Sequence, residues 1–550
     1  MTRWHRLAGT VLMATGLALG GRTGSAGEPV AVLGPDDPGP SIPPAGISLF
    51  DELFATEDGH DVPYPFERLL HALNTRIAPA TVVTALIPIG RSLQRYAAHP
   101  DYFGSPRVVV AIDGEPSARH EPSLKDRLFL GFQPAAGAIE IISYNETAGR
   151  FEFQEIVDYG ARPSTDVRYA SRDICVPCHQ GHAPIFSRPL WEESNANPRI
   201  AAELSALGSA FHGAAVRQGV DRLDDFDLAT DRANRIAVVN RLWDEGCGEG
   251  PAGANCRAAL LGGALRYRLS GARAAWRPDP TAAVEAVHDR LTALWPDGLG
   301  TPSPDLPNRN PLLELAAAGS PDKILDTDGV MNPETPRPIV LQWSPGAEPA
   351  GTFAGVARAV SGMFAASDIA WLDRRLVAAA VVDTVDHNAT CRLEEVQLSD
   401  ARSETRFDCG EAADGLRLTG FVVARGPVVE GGRVDTISIG QGQETRRLLI
   451  AGGSLAVERR PETFRLELRE AGAELQPRLV SGERVTAFSL RRYGRQGVAE
   501  ITTTDDLDGL DRALERLAAD GSDALGPGPL RRRAVLAALD AVLPAPGMEE

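Results

Sequence analysis

The spacing of hydrophobic and polar positions changes twice along this 550-residue chain. Within 61–100, Phe66, Leu69, Leu70 and Leu73 fall at helical spacing and predict a helix. Short alternating runs follow at 107–112, 127–132, 139–144 and 151–157, the last two joined across Asn145-Glu-Thr-Ala-Gly149 as a hairpin. These runs predict an antiparallel sheet that delivers the chain to Cys175. The period then lengthens. Asn197-Pro198 opens a helix with Ile200, Leu204, Leu207 and Phe211 on one side, and further helices are expected at 231–244, 281–295, 353–365 and 368–382, interrupted by a proline-rich stretch at 296–345. From about 390 to 503 the pattern is strand-like again, in pieces such as 416–423 and 464–468 between glycine-rich turns, as in a sandwich or twisted sheet. Two helices close the chain, one with Leu507, Leu510, Leu514 and Leu517 in register and one at about 530–543. Residues 27–60, rich in Pro, Gly and Asp, read as an exposed lead-in.

Composition narrows the class. With 43% hydrophobic and 24% charged residues the chain is globular, and its length suits two to four domains. The formal charge is −18, and only Lys125 and Lys323 are lysines, a bias from which no function follows. A balance this acidic excludes the electrostatic footprint of a nucleic-acid or anionic-membrane binder.

The first residues suggest the compartment. Arg3, His5 and Arg6 precede an apolar run at 7–21, and Gly24-Ser25-Ala26 ends it with small residues, the order of a secretory signal peptide cleaved near Ala26. The run is too short to span a bilayer, so no integral membrane span is expected, and the product would be periplasmic or secreted. Loss of that leader removes three arginines and no acid, taking the charge from −18 to −21. The six cysteines fall into pairs. Cys247 and Cys256 close a glycine-rich loop, Cys391 and Cys409 flank a hairpin, and both couples read as local disulfides.

Cys175 and Cys178 are left over, in Cys175-Val176-Pro177-Cys178-His179. Two thiols three positions apart can add to the two vinyl groups of one porphyrin, and the histidine after them is then held under the iron. A thioredoxin-like site would need the first cysteine at a helix N-terminus, and zinc would need a second ligand pair. The motif resembles the attachment site of the c-type cytochromes. The resemblance covers residues 171 to about 200, loosely to 345, and the run Ala183-Pro-Ile-Phe-Ser-Arg-Pro-Leu-Trp191 looks like material in long bacterial haem proteins of this kind. It implies one covalent haem c, export before attachment, electron transfer, and His179 as proximal iron ligand. The fold class expected is α+β. A leader at 1–26 and the lead-in at 27–60 precede a β-rich region at 61–170. A helical cytochrome c-like haem unit at 171–385 then stands before a β-rich domain at 386–503 and closing helices at 504–550.

The second imidazole nitrogen of His179 needs an acceptor, which a backbone carbonyl near Pro184 or Pro189 would supply. For the distal side, Met331 lies in a proline-stiffened loop, Gly329-Val-Met-Asn-Pro-Glu-Thr-Pro336-Arg-Pro338, of the kind that carries methionine ligands, although 152 positions beyond His179. Met363 and His288 fall on apolar helix faces and read as core, His182 as lining the haem edge, and His212 as surface. Asp326-Thr-Asp328-Gly lacks the remaining ligands of a calcium loop. Three functions fit: an electron carrier whose acidic surface steers a cationic periplasmic redox partner, a peroxidase- or oxygenase-type enzyme with an open distal site, or a haem-containing sensor or docking subunit.

Overall fold

The computed structural model describes residues 27–34, 37–75, 82–116, 119–160, 166–188, 191–217, 223–269, 281–325, 333–379 and 505–543, and the backbone of the strands within 386–491. The leader, Met331 and the Asp326–Asp328 turn lie outside these residues.

Six strands run as an antiparallel meander in chain order: β1 (Val82–Ile87), β2 (Arg107–Ile112), β3 (Leu128–Gln133), β4 (Ala138–Asn145), β5 (Arg150–Ile156) and β6 (Val167–Tyr169). Every residue of β3 is buried, because both faces of the sheet are covered. One face packs on α1 (Leu49–Phe54) and α2 (Phe66–Asn74): Phe66 stacks on Phe132 at 4.5 Å, and the Phe50 amide donates to Ser143 Oγ at 2.9 Å. The other face, carrying Glu140, Ile142 and Tyr144 of β4, turns to the remaining helices, where Asn240 donates to the Tyr144 hydroxyl at 3.0 Å. The β4–β5 turn is the expected hairpin. Asn145 Oδ1 accepts from the amides of Thr147 and Ala148, and Gly149 takes φ +66° against Pro529, where a Cβ would collide.

The helical layer comprises α3 (Arg172–Cys175), α4 (Pro198–Leu207), α5 (Leu223–Cys247), α6 (Gly250–Leu269), α7 (Ala282–Leu294), α8 (Pro311–Ala318), α9 (Pro321–Leu325), α10 (Pro349–Ser361), α11 (Ala366–Ala379), α12 (Asp505–Ala519) and α13 (Arg532–Val542). Helix α6 is its centre, packed by α10, α12, α5 and α7. It occupies most of the span expected to be a glycine-rich loop. The cysteine pairing itself is present: Cys247, ending α5, is bonded to Cys256 inside α6. Helix α4 stops at Leu207, four residues before its expected end. Phe211 instead enters a small hairpin whose turn, His212-Gly213, has positive φ at both positions. One hydrophobic core runs from Val32 through sheet and helices to Leu543.

Between α11 and α12 the chain leaves this body and forms a second, all-antiparallel sheet. Eight of its ten strands are β7 (Asp386–Ser399), β8 (Arg402–Glu411), β9 (Leu416–Arg425), β10 (Gly432–Gln441), β11 (Glu444–Leu449), β12 (Thr463–Ala471), β13 (Glu474–Ser481) and β14 (Leu490–Arg491), while the short strands Ala456–Val457 and Arg484–Ala487 pair with β10 and β13. The pairing order is β9-β8-β7-β12-β13-β14-β11-β10, and β10 pairs back to β9. The sheet therefore closes on itself as a barrel instead of stacking as a sandwich, which removes free edges. In the β7–β8 register Arg392 faces Asp408, so Cys391 and Cys409 occupy the next opposed positions. Their side chains lie outside the described residues. The whole is α+β.

Candidate functional site

The sheet hands the chain to the cysteine motif along the free end of β5. Strand β6 covers only Gln154 to Ile156. Beyond it, the Ala170 amide donates to Phe153 O at 2.9 Å and the Arg172 guanidinium to Phe151 O at 2.7 Å. Arg172 is buried and also donates through Nε to Pro38 O and through Nη2 to His182 Nδ1 at 2.9 Å. Its guanidinium carbon lies 5.1 Å over the Phe153 ring. A guanidinium only donates, so His182 accepts at Nδ1 and donates from Nε2 to Gly34 O at 3.4 Å. Burial, then the Arg172 charge, pushes the His182 pKa down to about 4. His182 is thus a neutral strut between the N-terminal segment and Arg172.

Helix α3 is a single turn. His179 N bonds to Cys175 O at 2.9 Å and His182 N to His179 O at 2.6 Å, which winds the motif into a tight coil behind the fully buried Val176. His179 Nδ1 donates to Ala183 O at 3.0 Å, the carbonyl of the peptide bond to Pro184. Among the described residues no donor reaches the Nε2 lone pair. Burial holds the imidazole pKa down at about 4, so the ring is neutral, the form in which histidine binds a metal. The Phe153 ring lies against it at 5.4 Å between centroids.

The two thiols are half-buried and not bonded to each other. Burial, then Glu140, pushes Cys175 up to about 12, and burial, then Glu334, raises Cys178. A disulfide oxidoreductase needs the reverse, a lowered pKa at a helix N-terminus, whereas Cys175 is the last residue of α3. Among the described residues no group of three or more His, Cys, Asp or Glu could hold a metal ion.

Three arginines approach from three elements. Arg107 on β2 lies flat across β3 to pair with Glu140 on β4, and it can do so because residue 131 is glycine, where a Cβ would overlap its guanidinium. Arg337 donates from Nη2 to Cys178 O at 2.7 Å. The Arg337 segment is clipped to the motif by Gln180. Its Oε1 accepts from the Arg337 amide at 3.1 Å, and its Nε2 donates to Thr335 O at 3.0 Å and to Glu334 O at 3.4 Å. Arg95 acts on Cys178 through its charge. Arg337 Nε and Nη1, Arg107 Nε and Arg95 Nε are buried without an acceptor.

Cys175, Cys178 and His179 are therefore brought together as the motif requires. The other candidates are engaged elsewhere. Met363 is buried and its Sδ accepts from Arg127 Nη2 at 3.5 Å; His288 Nδ1 bonds Thr352 Oγ1 at 2.8 Å on α10. His212 sits in the surface hairpin, edge-on to Phe132 and 3.8 Å from Glu67, so it belongs to no helix. The loop expected to carry a methionine ligand does return to the motif in its described part, Glu334 to Arg337, despite the long separation in sequence. Arg172, Gln180, Arg107 and Arg337 were not foreseen. Only the nearness of Gln180 to His179 could have flagged one of them.

The residues fit a covalently attached haem: two unbonded thiols, a neutral imidazole with a fixed tautomer, an aromatic wall, and buried cationic donors lacking acceptors. No protein family, curated protein or solved structure matches this chain.

Proposed function

We propose that this chain is an exported mono-haem c-type cytochrome that takes part in electron transfer, with haem bonded through Cys175 and Cys178 and His179 as proximal iron ligand. The observation that carries the reading is the His179 ring, tied at Nδ1 to Ala183 O so that Nε2 remains for iron. When bound, the haem supplies one-electron exchange between ferric and ferrous iron. The protein's share is to hold the imidazole neutral and oriented, to keep the thiols unpaired for thioether formation, and to wall the site with Phe153 and Arg107. Met331 is the distal ligand in this reading, because the segment that follows it is pinned to Cys178 and Gln180. The Cys247–Cys256 disulfide is compatible with an oxidising compartment, and no helix among the described residues is long and apolar enough to cross a membrane.

The test is an optical spectrum of the periplasmically expressed protein, oxidised and reduced, with and without carbon monoxide. A low-spin spectrum indifferent to carbon monoxide is expected, and Met331→Ala should then open the iron to the gas. Prompt binding by the wild type would instead favour the open-site enzyme. Cys175→Ala with Cys178→Ala should abolish haem that survives denaturing electrophoresis; haem persisting in that double variant would refute the covalent assignment.

A further inference from the structure

We infer that the exported chain begins at Gly27, and that Asp297 receives the α-ammonium set free there. The inference rests on the export reading above and adds the bond that is cut and the residue that holds the product. Gly24 and Ala26 place small residues third and first before that bond, as a signal peptidase requires. Hydrolysis of the Ala26–Gly27 peptide bond by such an enzyme consumes one water. Ala26 leaves as a carboxylate, and the Gly27 nitrogen takes up a proton to become an ammonium.

Asp297, in the turn that follows α7, stands where that charge appears. The Gly27 nitrogen lies 3.2 Å from Asp297 Oδ1. The carboxylate also lies along the Gly27 α-carbon: a Cβ there would come within 2.6 Å of Oδ2, so the approach requires glycine. Among the described residues no arginine, lysine or histidine pairs with Asp297. A peptide amide offers this carboxylate one proton and no net charge. An ammonium offers three protons and a full positive charge, so the cut turns a neutral hydrogen bond into an ion pair.

The terminus is the first anchor of a segment that backs the cysteine motif. From Gly27 the chain runs in step with 297–300: Val30 N bonds to Gly298 O at 3.1 Å and Val32 N to Gly300 O at 2.9 Å, with Val30–Ala31 parallel to Leu299 and Gly300. Further on, Gly34 O accepts from His182 Nε2, Pro38 O from Arg172 Nε, and Ser41 Oγ from the Arg172 amide at 3.1 Å. The segment is rich in Pro and Gly and forms no regular element beyond that two-residue strand, so its anchors set its path. The first anchor fits one terminus only. A residue more or fewer before the strand would carry the ammonium about 3.3 Å from its place beside Asp297.

The experiment is N-terminal sequencing and intact mass of the chain expressed with its leader, followed by amine labelling of the folded product near neutral pH. A chain beginning at Gly27 is expected. Such a chain holds three amines, the α-amine, Lys125 and Lys323, so peptide mass resolves labelling at each. Only the unprotonated amine reacts, and a carboxylate partner keeps the proton on. Asp297→Asn should therefore speed labelling of the α-amine about threefold, the scale of an exposed ion pair, and leave both lysines unchanged. Asp297→Glu, which keeps the charge, should retain most of the protection. Because the pair is exposed, about 1 M salt should bring the wild-type rate up toward that of Asp297→Asn. The salt series needs no variant and decides the matter should Asp297→Asn fail to fold. A cleaved chain that begins at another residue overturns the inference, and so does an α-amine that labels at one rate in wild type and Asp297→Asn or ignores salt. A chain that keeps its leader refutes the export reading and the inference with it, and the intact mass tells that failure from the others.

Discussion

Arg172 shows how much of this site depends on a side chain that never touches the proposed cofactor. Its guanidinium joins strand β5, the N-terminal segment at Pro38 and the His182 ring, all from a fully buried position. Arg172→Met should therefore leave two carbonyls and a ring nitrogen without donors and cost about 3 kcal/mol, read as a lower urea midpoint. Arg172→Lys should recover little, because an ammonium cannot reproduce a planar set of donors. A second residue gives a pH-dependent prediction. Burial raises the Tyr144 phenol to about 12. The unfolded chain ionises near 10 and the folded one near 12, so this contribution is whole below pH 10 and lost as pH rises through 12. Tyr144→Phe should therefore flatten the fall in stability between pH 10 and 12 by about 2–3 kcal/mol, while costing about 1 kcal/mol at neutral pH through the Asn240 bond. At this scale the three motif residues could be singled out from the sequence because the chemistry proposed for them requires their spacing. Arg172 and Arg337 were not, since what defines them is the backbone carbonyl each one reaches, and those carbonyls come from distant or structureless stretches.

Strands were legible as short apolar or alternating runs bounded by turn residues, even though the sheet they form is covered on both faces. The runs at 107–112, 139–144 and 151–157 became β2, β4 and β5; the helix around Phe66 to Leu73, with one apolar face, became α2. Helix α6 escaped because it has no such face. It is buried on nearly all sides, so its apolar residues have no period, and its first turn holds Gly250, Pro251 and Gly253, which read as a loop. The close approach is required there, since a Cβ on residue 253 would run into Gly248 O. The Cys247–Cys256 bond braces this junction, and buried Arg257 caps it by donating to Gly248 O at 2.6 Å. A closed loop of nine residues' separation corresponds to about 3 kcal/mol in the chain-entropy account. Cys247→Ala with Cys256→Ala should lower the denaturation free energy by about that amount, and reductant should lower the wild type equally while leaving the double variant unmoved.

On the scale of the whole molecule, the barrel at 386–491 is an excursion from a body that is continuous without it. Helices α11 and α12, which flank it in sequence, pack on each other: a Cβ at Gly509 would lie 3.8 Å from Leu376 Cδ2. Helix α13 locks the same junction, with Arg375 bonded to Asp540 at 2.7 Å and buried Arg532 paired with Asp368 on α11. The shift of period near residue 390 marked the change of structure correctly, but pairing order was not readable from it, because closure depends on β10 meeting β9, which no local pattern encodes. Helices that pack on each other, as α11 and α12 do, are commonly joined by a few residues. Replacing 380–504 by a Gly/Ser linker of about six residues should therefore leave the sheet, the helices and the haem motif intact. On the haem reading proposed above, the expected product binds covalent haem and shows the wild-type absorption spectrum. The same deletion separates two roles for the barrel. If electron exchange with the native partner disappears while the spectrum persists, the barrel is the docking element; if the spectrum itself changes, the barrel contributes to the haem site and the body is not independent of it.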